Sequence, residues 1–169
     1  MEMDSPEPGN ELEPGGLTSR TASLARDVLE HLLDTMGMDA SVAVAGGEPI
    51  TLNITGEDLG ILIGRRGQTL ASLQHIVRLI VSHETEGWAP IVIDVEGYKE
   101  RRQEALQALA YRMADQVASR RVPFALEPMP AYERRIIHLA LADHPDVTTE
   151  SEGEGEMRKV VITLKRKLP

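Results

Sequence analysis

The sequence predicts an α+β protein built as two small units in succession. Three observations carry that prediction. Helical and alternating apolar patterns follow one another closely from Thr18 to Val95, a long helical pattern covers Tyr98 to Arg121, and a further helix and strands close the chain. At 169 residues the chain is long enough to bury either one medium core or two small ones.

Residues 1–17 are rich in Pro, Gly and Glu, with no apolar period, and read as a disordered acidic tail. From Thr18 to Gly37 the positions Ala25, Val28, Leu29, Leu32, Leu33 and Met36 keep helical spacing, with Thr18 or Ser19 as the cap and Gly37 as the stop. Val42 and Val44 alternate, Gly46-Gly47 turns, and Ile50, Leu52 and Ile54 alternate again, which predicts a hairpin. Thr55 with Asp58 resembles a capping box, so a short helix is expected to run toward Ile63. Gly64-Arg65-Arg66-Gly67 then turns the chain into a helix over Gln68 to Ser82. Ile91 to Val95 reads as a buried strand.

Beyond Gly97, the stripe Tyr98, Leu106, Leu109, Ala110, Met113 and Val117 predicts a long helix whose charged side is solvated or, through Arg101, Arg112 or Arg120, meets a polyanion. Val122 to Leu126 suits an edge strand because Pro123 lacks a donor. Pro130 opens a helix to about Ala142. Val147–Glu150 and Arg158–Leu164 complete a hairpin around Gly153 and Gly155. The units expected are residues 18–96 and 97–169.

Composition excludes several chemistries. Without cysteine there is neither a disulfide nor a thiolate metal site. No apolar run approaches the roughly 20 residues that span a bilayer, and the acidic start is not a secretory signal, so a cytoplasmic protein without stable membrane insertion is expected. The net charge of −9 is unevenly placed: ten acidic and two basic residues precede Gly56, whereas seventeen and sixteen follow it. Screening over about 8 Å lets a local basic patch act within an acidic protein.

The chemistry that remains is binding. Gly64 and Gly67 permit a tight turn and close approach of another backbone, while Arg65 and Arg66 can meet phosphate oxygens. Ile54, Ile61, Leu62 and Leu70 are candidates to line a base-accepting groove, and each also suits the core. Arg134 and His138, four residues apart, share a helix face with Arg135 beside them. No Walker or Gly-x-Gly-x-x-Gly pattern is present, and the five histidines form no helical metal pair, so neither a cofactor nor a metal is expected. A nuclease using His138 is the enzymatic alternative to a protein that is not an enzyme.

The first unit resembles a type II (bacterial) KH domain, in which a Gly-x-x-Gly loop joins two helices packed on a three-stranded sheet. Ile63-Gly64-Arg65-Arg66-Gly67, with Leu70, Leu73 and Gln74 behind it, carries the likeness. Glu133-Arg134-Arg135-Ile136-Ile137-His138 and the closing hairpin resemble the R-3-H domain, a small α/β module that binds single-stranded nucleic acid. Together they resemble the Jag, KhpB or SpoIIIJ-associated family over roughly residues 20 to 167, closest at Gly60–Gln74, Asp94–Arg102 and Glu127–Ile162. No N-terminal Jag domain, which many members carry, is expected ahead of the KH unit.

The resemblance implies binding of single-stranded RNA, with single-stranded DNA as a competitor. Arg134 would meet a phosphate or base edge, and His138 would hydrogen-bond or stack beside it. Post-transcriptional regulation or RNA chaperoning, acting on cell envelope growth or division, is the implied role. An adaptor that pairs with a small stand-alone KH protein, or with itself, is the implied alternative.

Overall fold

The structure is a computed structural model in which residues 14–165 are described, with side chains from Ser19 onward. Of the expected tail, residues 1–13 lie outside the described residues, whereas Pro14 already opens helix α1 (Pro14–Thr35). Thr18 and Ser19 therefore lie inside the helix instead of capping it. The chain divides into two compact units between Glu96 and Gly97.

The first unit holds α1, β1 (Ala40–Ala45), β2 (Ile50–Gly56), α2 (Gly60–Ile63), α3 (Gln68–Glu84) and β3 (Ile91–Val95). Gly37 ends α1 as its apolar period predicts. With φ at 71° it lets Met38 N–H reach the Leu33 carbonyl and its own N–H the Asp34 carbonyl, satisfying two orphan acceptors. The sheet order is β1-β2-β3, with β1–β2 antiparallel and β2–β3 parallel. The parallel pair requires a crossover, which α2 and α3 supply.

One face of the sheet is covered. Ile50, Leu52 and Ile54 are buried while Thr51 and Asn53 between them are half-buried. They pack with Ile91, Ile93 and Val95 of β3, Ala25, Leu29 and Leu33 of α1, and Leu70, Leu73, Val77 and Val81 of α3, all of them buried. Each such large aliphatic contributes roughly 1.5–3 kcal/mol on burial.

The backbone groups of Pro90 and Glu96 point to β2, through Ile50 N–H to Pro90 O and Glu96 N–H to Ile54 O. Alternation sends those of Ile91 and Ile93 to the outer edge of β3. There Arg78 Nε–H donates to Ile91 O at 2.6 Å and Ile93 N–H donates to Gln74 Oε1 at 3.0 Å. Gln74 and Arg78 are four residues apart on α3, so one helix face holds the strand.

The expected Thr55/Asp58 capping box does not form. Thr55 stays in β2 opposite Ser41, Asp58 has a φ of 53°, and α2 starts from Leu59 without a side-chain cap. Pairing with β1 prevails over the local capping preference.

The second unit holds α4 (Tyr98–Arg120), β4 (Phe124–Ala125), α5 (Ala131–Ala140), β5 (Val147–Glu152) and β6 (Lys159–Leu164). Its antiparallel sheet has the order β4-β6-β5. Leu106, Ala110, Met113, Ala114 and Val117 of α4 form the core with Ile137, Leu141, Val147, Val160 and Ile162. β4 is shorter than its apolar run suggests, yet Leu126 N–H continues the ladder to Val160 O. Gly153, with φ at 88°, starts the turn between β5 and β6.

Candidate nucleic-acid interface

In the first unit the candidate site is made of backbone. Gly64 adopts φ 68° and ψ −172°, a region essentially restricted to glycine, and a Cβ there would overlap the Thr69 hydroxyl. A single 3-10 turn over Arg65–Gly67 follows, with Arg66 left-handed at φ 54° and Gly67 left-handed at φ 76° as the N-cap of α3. No side chain caps α3. The N–H groups of its first turn therefore open toward the loop, and the helix dipole adds partial positive charge there. Arg65 is exposed and Arg66 half-buried, so both cations border this N-terminus.

The four groove candidates separate. Ile54, Leu62 and Leu70 are at most 2% exposed and belong to the core, whereas Ile61 is 66% exposed. Three apolar residues of the expected groove are thus consumed in packing the sheet, and Ile61 alone presents a surface beside the loop.

In the second unit the candidate site is made of side chains. Arg134 Nε–H donates to the Met129 carbonyl at 3.3 Å, which points the guanidinium along the start of α5. His138 lies one turn on, its Nδ1 2.6 Å from Thr149 Oγ1 and its Nε2 2.8 Å from Ser151 Oγ. Thr149 and Ser151, two apart on β5, share one face of that strand. Burial holds the His138 imidazole below its ordinary titration range, and the Arg134 charge lowers it further. The neutral ring donates to one hydroxyl and accepts from the other, so its hydrogen-bonding capacity is spent inside the fold. Arg135 is exposed.

Beneath α5 lies a partly buried ion pair. Glu133 is fully buried and accepts from Arg102 Nε at 2.7 Å and Nη2 at 3.0 Å, the bidentate geometry that arginine favours. That bond raises the Arg102 guanidinium above its ordinary value. The Tyr132 phenol is pushed up to about 12, first by burial and then by the Glu133 carboxylate. Glu133, Thr149 and Ser151 are contributors the sequence reading omitted. Glu133 had a signal: it sits four residues before Ile137 and eight before Leu141, a charge on the apolar stripe, where charges are rarely left unpaired.

Among the described residues no group of three His, Cys, Asp or Glu side chains could hold a metal ion. None of their helices is long and apolar enough to cross a membrane.

Comparison with known proteins agrees with this architecture. Residues 22–93 match the family model described as "KhpA/KhpB, KH domain", and residues 104–164 match the model of the R-3-H domain. The chain is 43% identical over 145 residues to a Clostridium symbiosum protein named RNA-binding protein KhpB, covering 84% of this chain and 65% of the relative. Proteins of the same name from Bacillus subtilis and Streptococcus pneumoniae are 38% and 30% identical over 135 and 169 residues. These alignments cover 73% and 95% of this chain and 65% and 51% of the relatives. The chain thus spans about two thirds of the length of the first two relatives and half of the third. With a KH domain followed by an R-3-H domain, and relatives matched across most of its residues, the chain belongs to the KhpB family.

Proposed function

We propose that the chain binds single-stranded RNA at two places, the Gly64–Gly67 loop and the Arg134 face of α5. The observation that carries the reading is the uncapped N-terminus of α3 behind a glycine-restricted loop flanked by Arg65 and Arg66. Phosphate oxygens accept from such N–H groups, and about four nucleotides fit a clamp of this kind. Relatives named RNA-binding proteins support it. Arg134 and Arg135 supply further cations, while His138 holds α5 against β5 and so sets where Arg134 points. Linking two weak contacts raises joint affinity through effective concentration.

The biological role that fits is post-transcriptional regulation or RNA chaperoning in the cytoplasm, directed at cell envelope growth or division. Against the nuclease alternative, both ring nitrogens of His138 are engaged by Thr149 and Ser151 of β5.

The adaptor alternative draws on another feature. Ile76 and Leu79 are 46% and 57% exposed on the outer stripe of α3, an apolar face suited to a small stand-alone KH protein or a second copy.

Fluorescence anisotropy of short labelled RNA and DNA strands separates these readings. Arg65→Asp/Arg66→Asp and Arg134→Ala should each weaken RNA binding, and each neutralised phosphate contact should lower the salt slope by about 1. Unchanged affinity in both variants would remove both sites. Absence of any oligonucleotide binding at low salt would leave the adaptor.

A further inference from the structure

The outer surface of α5 carries more than Arg134 and His138. At about 100° per residue, Glu133, Ile137 and Leu141 point into the core. Ile136 and Ala140 flank that stripe on one side, and from its other side the circumference runs from Arg134 and His138 through Arg135 to Leu139 and Tyr132. Leu139 is 63% exposed and Tyr132 48%. Two large apolar groups thus stand in solvent beside two arginines, on the helix that bears the proposed site.

Tyr132 also stands beside a fixed charge. Its phenol feels the buried Glu133 carboxylate, which Arg102 clamps from α4 through two bonds. About half of the residue is open to solvent. A tyrosine has only two side-chain torsions, so it loses little entropy when a planar group settles on its ring. The helix is only about 10–12 Å across, so a short piece of single strand lying over α5 passes from the arginines to the ring.

We infer that Tyr132 is a stacking platform for one base of the strand bound at Arg134 and Arg135, with Leu139 flanking that base. The inference rests on the reading of α5 as a single-stranded RNA site. The charge of this surface selects this occupant: two arginines complement a phosphate backbone, and every base has a π-face that stacks on an aromatic ring without regard to sequence. Tyr132 would then supply affinity with little sequence preference, and the arginines would supply salt dependence.

The test uses the full chain and labelled single-stranded RNAs of one length, with an abasic nucleotide moved one position at a time. Tyr132→Leu keeps apolar bulk but removes the ring, and should weaken binding of the intact strand roughly 5- to 150-fold. Tyr132→Phe, which keeps the ring and loses only its hydroxyl, should weaken it less. One abasic position should weaken wild-type binding and leave Tyr132→Leu unaffected, because the same stack is removed by either change. Unfolding of the Leu variant, followed by circular dichroism, passes the decision to Tyr132→Phe with the abasic series.

Wild-type affinity in Tyr132→Leu, or an abasic penalty that persists in it, overturns the inference. If Arg134→Ala still weakens binding, the reading of α5 stands without the platform; if it does not, both fall. Loss of self-association in Tyr132→Leu with RNA affinity intact would assign the ring to protein docking, and also overturns it.

Discussion

The Gly64–Gly67 loop of the first unit and helix α5 of the second present positive charge by different means. The loop uses backbone: glycine conformations and an uncapped helix start create its donors, and Arg65 and Arg66 only border them. Helix α5 uses side chains braced by other side chains, with Arg102 on Glu133 and His138 on Thr149 and Ser151. A backbone site is sensitive to what can be added at one position. A side-chain site is sensitive to what is removed at a distance.

The difference can be broken most severely at Glu133. Its replacement by alanine leaves the Arg102 charge without its carboxylate in a partly buried setting, and should destabilise the second unit by about 3 kcal/mol, read as a lower midpoint in urea. The first unit should be unaffected by this variant when its own signals are followed by NMR. At the loop the corresponding break is Gly64→Ala, which forces a side chain into a glycine-only conformation and against Thr69. A cost of about 2 kcal/mol to the first unit is expected from the same denaturation measurement.

Smaller effects sharpen the contrast. Thr149→Val keeps shape and deletes the hydroxyl partner of His138, and should cost about 1 kcal/mol; Ser151→Ala should cost a similar amount. The His138 imidazole should titrate below its usual 6.5 in the folded chain, observed through its ring proton shifts. Because the folded form disfavours the proton, the stability linked to this ring is complete above about pH 6.5 and is lost as pH falls through the depressed folded value. Arg134→Ala should move that titration back upward, since the Arg134 charge is one of the two causes of the depression.

The same contrast explains what could be read from sequence. Element order, both glycine positions and the Arg134/His138 spacing are encoded within a few residues and were legible as local patterns. The bracing of α5 was not. Arg102 and Glu133 are separated by 31 residues, and His138 meets hydroxyls 11 and 13 residues away, so only the fold brings them together. Ile54, Leu62 and Leu70 suit both groove and core in sequence, because an apolar residue beside a loop has the same local signature whether it faces solvent or the sheet; the fold buries all three. Thr55 misled for the opposite reason: its capping signal was real in sequence, but the strand register with Ser41 overrode it.

The bonds from Gln74 and Arg78 to the rim of β3 have a consequence for solubility. A three-stranded sheet exposes two margins, and an unpaired margin is a template on which a foreign strand can add, the first step toward aggregates. On β3 one outward carbonyl and one outward amide are already occupied by a helix of the same unit. Strand-by-strand growth of this sheet is thereby steered away from β3 and toward the opposite margin at β1.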